Sequence, residues 1–481
     1  MPNRSMTTTI DSPRESIVES PRSASSRPVL TLLWSREAPE RVGELLLLPA
    51  RPGARFTIGR ASAAKPGADD GPALTLTRLR PFSAVETGPL RSDRISRWQL
   101  RCRVEADDSI FVESAGRLPL RVNGHEAARA RVDEGDLLEL DRQVILRLGR
   151  RPSRWPGVPV FGGEFEFGSA DAFGLVGESE DAWRLREQIE LVATAGEHAL
   201  IYGPSGSGKE LVAHAIHGRS ARASAAMIAR SASTLPETLL DAELFGNLHN
   251  FPNPGMSARP GLVGAAHGST LFLDEIGELP AASQAHLLRL MDRGEYHRLG
   301  EAEVRVSDAR IIAATNRPPA QLKHDFLARF AYQLTLSGLD ARVDDIPLLA
   351  RHAFREIARS LPGKSAAFIR VDEPRFSPRL IYALAWRDYT THARELATLL
   401  RRSLATSEGG YLDLPPGELV AAPARPAVPD MLSEPTELTR EQVMAAIEQC
   451  DGVKAKAWRV LGLRSRYQLR RLLDKFERED G

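Results

Sequence analysis

The stretch Leu200-Ile201-Tyr202-Gly203-Pro204-Ser205-Gly206-Ser207-Gly208-Lys209-Glu210 decides how this chain is read. Leu200 to Tyr202 form a short apolar strand, the Gly-rich segment a loop, and Glu210 to His217 a helix. Glycines at 203, 206 and 208 let backbone amides approach an anion closely, and Ser207 adds a hydroxyl. Lys209 brings an ammonium to the start of a helix whose N-terminal dipole already favours negative charge. The spacing is that of a phosphate loop, Gly-x4-Gly-Lys. Glu210 follows the lysine, where the general motif has a magnesium-binding hydroxyl, so a second element must hold the metal.

That element is Ser269-Thr-Leu-Phe-Leu-Asp274-Glu275, an apolar strand ending in two carboxylates. Asp274 suits a water-mediated contact to Mg2+, and Glu275 suits activation of the attacking water. Alone, the loop could be a chance Gly-rich turn; the acidic strand downstream argues for ATP and Mg2+ as its ligands. A third strand, Ala309 to Ala314, ends at Thr315-Asn316. Asn316 is either a sensor of the terminal phosphate or part of a plain strand-terminal turn.

The 481 residues exceed one hydrophobic core and divide into roughly three or four units. Apolar residues at 42% and charged residues at 26% exclude wholesale disorder. The net charge of +1 conceals a basic C-terminal end, so any nucleic-acid contact is local. Cys102 and Cys450 are too few for a disulfide framework and too far apart for a metal cluster, which fits a reducing compartment. The longest apolar run, around Leu45 to Pro49, falls short of the roughly 18 residues of a membrane span, and the N-terminus lacks the apolar segment of a secretory signal. A cytoplasmic protein without a membrane partner is expected.

The pattern predicts a multidomain chain: a β-sandwich, an α/β phosphate-loop domain with a helical lid, and an all-α helix-turn-helix. Residues 1–28 read as a disordered tail, 29–150 as the sandwich and 151–172 as a Pro/Gly-rich linker. Residues 173–340 form the α/β nucleotide-binding domain, 341–408 the lid, 409–435 a second Pro- and Ala-rich linker and 436–481 the closing helices.

From Phe173 to Leu404 the chain resembles the AAA+ module of bacterial sigma-54-dependent transcription activators, the enhancer-binding proteins. The residues that carry the resemblance are Gly177-Glu-Ser, Gly203 to Glu210, Glu243-Leu-Phe-Gly246, Gly268 to Glu278, Ala313-Ala-Thr-Asn316, Asp345-Ile-Pro-Leu-Leu349 and Arg394-Glu-Leu396. The resemblance implies an ATP-driven ring in which Gly203, Gly206, Ser207, Gly208, Lys209 and Glu210 bind the nucleotide. Asp274 and Glu275 would handle Mg2+ and hydrolysis, Asn316 and Arg394 would sense the nucleotide, and Arg329 would act across the subunit boundary.

The chain departs from that family at three places. The family's remodelling loop, Gly-Ala-Phe-Thr-Gly-Ala, is here Asn250-Phe-Pro-Asn-Pro-Gly255 without a change of length. The Phe-Thr pair is lost and two prolines restrict the backbone, so altered or lost sigma-54 remodelling is expected. At the intersubunit arginines one survives, Arg329, while Lys323 cannot make a bidentate guanidinium contact. Before Arg394, the usual Trp-Pro-Gly-Asn-Val is replaced by the longer Trp386-Arg-Asp-Tyr-Thr-Thr-His-Ala.

The N-terminal unit resembles a forkhead-associated domain through Phe56-Thr-Ile-Gly59-Arg60, Ile95-Ser96-Arg97, Val122-Asn123-Gly124 and Glu134-Gly135-Asp136, with a long insertion after Arg60. The resemblance implies phosphothreonine binding by Arg60, Ser96, Arg97 and Asn123; the alternative is a sandwich used for packing or dimerisation. At the C-terminus three helices, 439–450, 454–461 and 465–476, turn at Gly462 and resemble the Fis-type DNA-binding domain. Arg464, Ser465, Arg466, Gln468, Arg470, Arg471 and Lys475 then face double-stranded DNA, with Leu469 and Leu472 turned inward. The function expected is an ATP-binding, sequence-specific DNA-binding transcription regulator that self-associates into a ring, with contact to RNA polymerase or a sigma factor left open. The alternative is a non-hydrolysing, ATP-stabilised scaffold or repressor on DNA.

Overall fold

The computed structural model describes residues 26–61, 70–81, 83–152, 165–234, 239–251, 253–318, 321–418 and 439–449, with single positions between 457 and 476. The expected tail over residues 1–25 and most of both expected linkers lie outside the described residues.

Among the described residues, twelve strands build the N-terminal unit: β1 (Ser26–Ser35), β2 (Leu45–Leu47), β3 (Arg55–Ile58), β4 (Leu76–Arg80), β5 (Ser83–Gly88), β6 (Leu100–Val104), β7 (Ile110–Ser114), β8 (Leu120–Val122), β9 (His125–Glu126), β10 (Arg129–Val132), β11 (Leu137–Leu140) and β12 (Val144–Pro152). They form one sheet in the order β5-β4-β2-β1-β12-β11-β8-β9 and a second in the order β10-β7-β6-β3. A dry core that includes Leu30, Leu32, Phe56, Leu100, Val112 and Leu146 fills the space between them. Strand β6 alternates as a half-buried strand must, with Leu100, Cys102 and Val104 inward and Arg101 and Arg103 outward. Strand β1 does not alternate. Its run Val29-Leu-Thr-Leu-Leu-Trp34 is buried on both faces, because the face away from the sandwich core packs against the lid.

Two expected boundaries are corrected here. Strand β1 begins at Ser26 and pairs Ser26 with Pro152, so the sandwich starts earlier and ends later than the sequence pattern suggested. The insertion after Arg60 also contributes structure, the β4–β5 hairpin, which extends the sheet edge.

The central domain carries the parallel strands β13 (Ala199–Tyr202), β14 (Ile228–Ser231), β15 (Thr270–Asp274), β18 (Arg310–Thr315) and β19 (Tyr332–Thr335), in the order β14-β15-β18-β13-β19. A small antiparallel pair, β16 (Glu295–Tyr296) and β17 (Arg305–Val306), projects beside them. Helices α1 (Glu180–Ala195), α2 (Lys209–Gly218), α3 (Leu240–Phe245), α4 (Gly261–Ala265), α5 (Ala281–Arg293) and α6 (His324–Leu327) complete this domain. Ser179 caps α1 by accepting the Ala182 amide, and Gly196 ends it in a left-handed conformation at φ 75°.

The lid consists of α7 (Ile346–Ser360), α8 (Pro362–Ser365), α9 (Pro378–Trp386) and α10 (His392–Thr406). Its end is also corrected. Leu412 and Leu414 are buried in the lid core, and the Leu412 amide donates to the Arg375 carbonyl at 2.7 Å, so the lid continues past residue 408. At the C-terminus, α11 (Arg440–Gln449) buries Val443, Ala446 and Ile447 against Ala457 and Leu469.

Phe354 lies in the core shared by lid and sandwich, edge-on to Phe376 with ring centroids 5.9 Å apart. Phe354→Ala should cost about 3–5 kcal/mol of unfolding free energy. A shift below about 1 kcal/mol in denaturant titration would show that this site repacks without a cavity.

Candidate nucleotide site

The parallel register sets Tyr202 beside Thr315 and Leu273 beside Ala313, so the ends of β13, β15 and β18 come level. The phosphate loop, Asp274-Glu275 and Asn316 therefore share one edge of the sheet, which no local pattern fixes. The Gly203 amide donates to the Thr315 carbonyl at 3.2 Å and seats the loop. Gly206 and Gly208 adopt φ 75° and 100°, a region that side chains disfavour. A Cβ on Gly206 would also lie 2.2 Å from the Thr391 carbonyl oxygen of the lid.

Lys209 Nζ donates to the Gly203 and Pro204 carbonyls at 2.9 and 3.1 Å, within the loop itself. Burial lowers its pKa, with Asp274 acting in the opposite direction. Ser207 Oγ is buried without a hydrogen-bond partner, and no side chain caps the N-terminus of α2. An orphaned hydroxyl and an uncapped helix start within one Gly-rich loop fit an oxyanion. Glu210 is exposed in the first turn of α2.

Glu275 sits in the left-handed region at φ 55°, its amide donating to Asp274 Oδ1 at 2.9 Å. Its carboxylate accepts the Ser231 hydroxyl at 3.0 Å, and Ser233 lies 3.0 Å from Ser231. Hydrogen bonding from Ser233, then from Ser231, holds the Glu275 carboxyl below the usual carboxylate range. The anion required of a base is thus the stable form. Sequence reasoning missed both serines, because Ser231 meets Asp274 only through the pairing of β14 with β15.

Among the described residues no group of three or more His, Cys, Asp or Glu side chains could hold a metal ion. A single carboxylate such as Asp274 fits Mg2+ only when phosphate oxygens complete the shell.

The lid closes on the loop. The Ala393 amide donates to the Gly206 carbonyl at 3.2 Å, and Arg394 donates to Ser205 Oγ at 2.8 Å. His392, at φ 43° and buried, accepts the Leu339 amide on Nδ1 at 3.2 Å, with Asp340 Oδ1 3.8 Å away. Residue 338 must be glycine here, since a Cβ would lie 2.4 Å from the His392 ring. Arg329 pairs instead with Asp292 near the end of α5. Exposed Lys323 occupies the N-cap position of α6 without a side-chain capping bond. Asn316 is exposed just beyond β18.

The segment between α3 and α4 is folded onto itself. Asn247, fully buried, donates through Nδ2 to the Leu248, Phe251 and Ser257 carbonyls at 2.9, 3.0 and 2.9 Å. The Asn250 amide donates to the Met256 carbonyl at 2.8 Å, and its side-chain oxygen accepts the Gly255 amide at 2.9 Å. The Leu248 amide reaches the Leu299 carbonyl at 3.0 Å, and the Phe251 ring lies against Gly300.

In the sandwich, the Arg60 amide donates to the Ser96 carbonyl at 3.2 Å and the Arg117 amide to Ser96 Oγ at 3.0 Å. Arg60, Arg97 and Arg117 are exposed around that serine. Arg117 was missed because a loop, not a strand register, brings it there. Gln99 is buried and braces the same turn, accepting the Ser96 amide and donating to the Leu118 carbonyl. Asn123 lies in the turn between β8 and β9. At φ 53° it donates to Asp136 Oδ1 at 2.8 Å and accepts the Leu137 amide at 2.9 Å, which makes it a turn brace within the sandwich. Arg464, Ser465, Arg466, Gln468, Arg470, Arg471 and Lys475 lie outside the described residues. Leu469 is buried and Leu472 packs beside it.

The strand order, the phosphate loop after β13 and the helical lid define an AAA+ nucleotide-binding protein. Residues 175–339 match the model of the Sigma-54 interaction domain. The chain is 32% identical over 321 residues to the transcriptional regulatory protein ZraR of Salmonella typhimurium, covering 65% of this chain and 71% of that one. It is 36% identical over 319 residues to the Nif-specific regulatory protein of Klebsiella oxytoca, covering 62% and 58%. Among solved structures, NtrX from Brucella abortus in complex with ADP aligns at 28% identity and a TM-score of 0.44, covering 63% of this chain and 69% of that one. The chain belongs to the family of transcriptional regulators built on a sigma-54 interaction domain. Among the described residues no helix is long and apolar enough to cross a membrane.

Burial lowers the pKa of His392, so unfolding takes up a proton there and the contact with the Leu339 amide weakens as pH falls below about 6.5. His198, His217 and His352 share this direction. The expected result is therefore a shallower loss of Tm between pH 7 and 5.5 in His392→Asn than in the unmodified chain. Identical slopes would remove His392 from the account.

Proposed function

We propose that this protein is an ATP-binding, DNA-binding transcription regulator whose lid reads the nucleotide. The observation that carries the proposal is the convergence of the Gly203–Lys209 loop, the Asp274-Glu275 pair and Arg394 at one sheet edge. In this reading the loop amides and Lys209 hold the phosphates and Asp274 holds Mg2+, which neutralises charge on the phosphate oxygens. Glu275, kept anionic by Ser233 and Ser231, takes the proton of the attacking water. Asn316 faces the terminal phosphate, and Arg329 leaves Asp292 to reach the neighbouring subunit of a ring.

Altered or lost sigma-54 remodelling belongs to the same proposal. Its support is the segment 247–259, closed by three Asn247 hydrogen bonds and fastened to Leu299. A loop that transmits work must leave those contacts. The same observation favours the second reading, an ATP-stabilised scaffold or repressor that does not hydrolyse. We further assign Arg60, Ser96 and Arg97 to a phosphothreonine partner, and residues 464–475 to DNA phosphates and base edges. The compartment proposed is the cytoplasm.

Steady-state ATPase activity of the full chain separates the readings. Glu275→Gln should lower turnover by about 10²- to 10⁴-fold while nucleotide still binds. Turnover that Glu275→Gln leaves unchanged rejects the assigned base, and absence of turnover in the unmodified chain supports the scaffold. A DNase footprint should vanish in Arg466→Ala/Arg471→Ala; an unaltered footprint would overturn the recognition-helix assignment.

A further inference from the structure

The sandwich is joined to the rest of the molecule by more than a linker. Leu33, Trp34, Leu137 and Ile145 on its outer face share one apolar core with Phe354, Phe376 and Ile381 of the lid. Trp34 Nε1 donates to the Phe376 carbonyl at 2.8 Å across this boundary.

A closed polar circuit runs beside that core. Arg147 and Arg151, four residues apart on β12 and so on one face, both reach Asp344 at 2.7 and 2.8 Å. Thr31 adds a hydrogen bond at 3.2 Å. Asp344 immediately precedes α7, where the nucleotide-binding core becomes the lid. The next residue, Asp345, accepts the Glu178 and Ser179 amides at 2.8 and 2.9 Å and also the Ser179 hydroxyl, binding the start of α1. Glu178 then meets Arg80 of the β4–β5 hairpin, while Trp183 and the Gly168 amide occupy its remaining acceptor sites at 3.1 and 2.7 Å. Arg80 also donates to the Phe165 carbonyl at 2.9 Å and lies over the Phe165 ring. The circuit leaves the sandwich at β12, passes through the core–lid junction and the start of α1, and returns to the sandwich at β4.

We propose that the sandwich is a clamp on the core–lid hinge, with Arg80, Arg147 and Arg151 as positioning residues for the nucleotide site. The mechanical reason is geometric. The N-terminus of α10 rests on Gly206 and Ser205, so lifting the lid breaks contacts to the phosphate loop. Lifting turns the hinge at Asp344-Asp345, which the sandwich grips directly at Asp344 and, through Arg80 and Glu178, indirectly at Asp345. A change in the sandwich, such as a ligand at the Ser96 end, thereby reaches the phosphate loop without touching it.

The effect on nucleotide release rests on the ATP-binding reading, but the clamp itself does not. The test uses the full chain, Arg80→Ala and Asp344→Asn, with Lys209→Ala as the control for binding. Deuterium uptake over residues 176–182 and 343–348 should rise at least several-fold in both clamp variants, and uptake equal to the unmodified chain overturns the clamp. Stopped-flow release of N-methylanthraniloyl-ADP should quicken about five-fold or more in both, with the association rate unchanged. A lower unfolding midpoint with unaltered release would make the residues merely structural and defeat the positioning role. Loss of all N-methylanthraniloyl-ADP binding in the unmodified chain would instead reject the nucleotide reading, and the exchange measurement would still decide the clamp.

Discussion

Two adjacent carboxylates, Asp344 and Asp345, are taken out of water where the nucleotide core becomes the lid, and the arrangement of three structural units follows from satisfying both. Burying a carboxylate costs several kcal/mol unless charge and hydrogen bonds compensate. Asp344 is met by two guanidinium groups of the sandwich, which outweigh desolvation and hold its carboxyl at about 2. Asp345 is met by the amides that begin α1. Burial nevertheless pushes the Asp345 carboxyl above the usual carboxylate range, whereas the two guanidinium groups keep Asp344 below it.

This constraint changes how the flanking domain is understood. A sandwich on a Pro/Gly-rich tether would report on its ligand only through local concentration. A sandwich sharing a core with the lid shifts the lid when it shifts itself, because packed interiors transmit displacement. The same reasoning bears on the segment between α3 and α4. Asn247 shares its two amide protons among three carbonyls of that segment, so its movement carries a cost that a free loop would not have.

The phosphate loop, the acidic strand end and the helix α11 were legible because each is local: apolar runs, glycine spacing and helical periodicity all act within a few residues. Ser231 and Ser233 were not legible, since their role depends on which strand lies beside β15. Asn123 is expected at the phosphate-binding end from the forkhead-associated resemblance, and its bonds to Asp136 and the Leu137 amide arise from a turn that no sequence pattern shows. The lid's extension to Leu414 was hidden by the surrounding glycines and prolines, which resemble a linker in composition.

What the amino-acid sequence determined by itself is the strand, Gly-rich loop and helix around Gly203–Lys209 and the apolar strand that ends at Asp274 and Glu275, since backbone freedom and local periodicity dictate both. What only the tertiary structure decided is which elements meet. Arg80 lies 98 residues from Glu178, and Arg147 lies 197 residues from Asp344. Contacts at such separations are selected by the burial of whole faces and the pairing of buried charges, and these depend on the complete packed molecule.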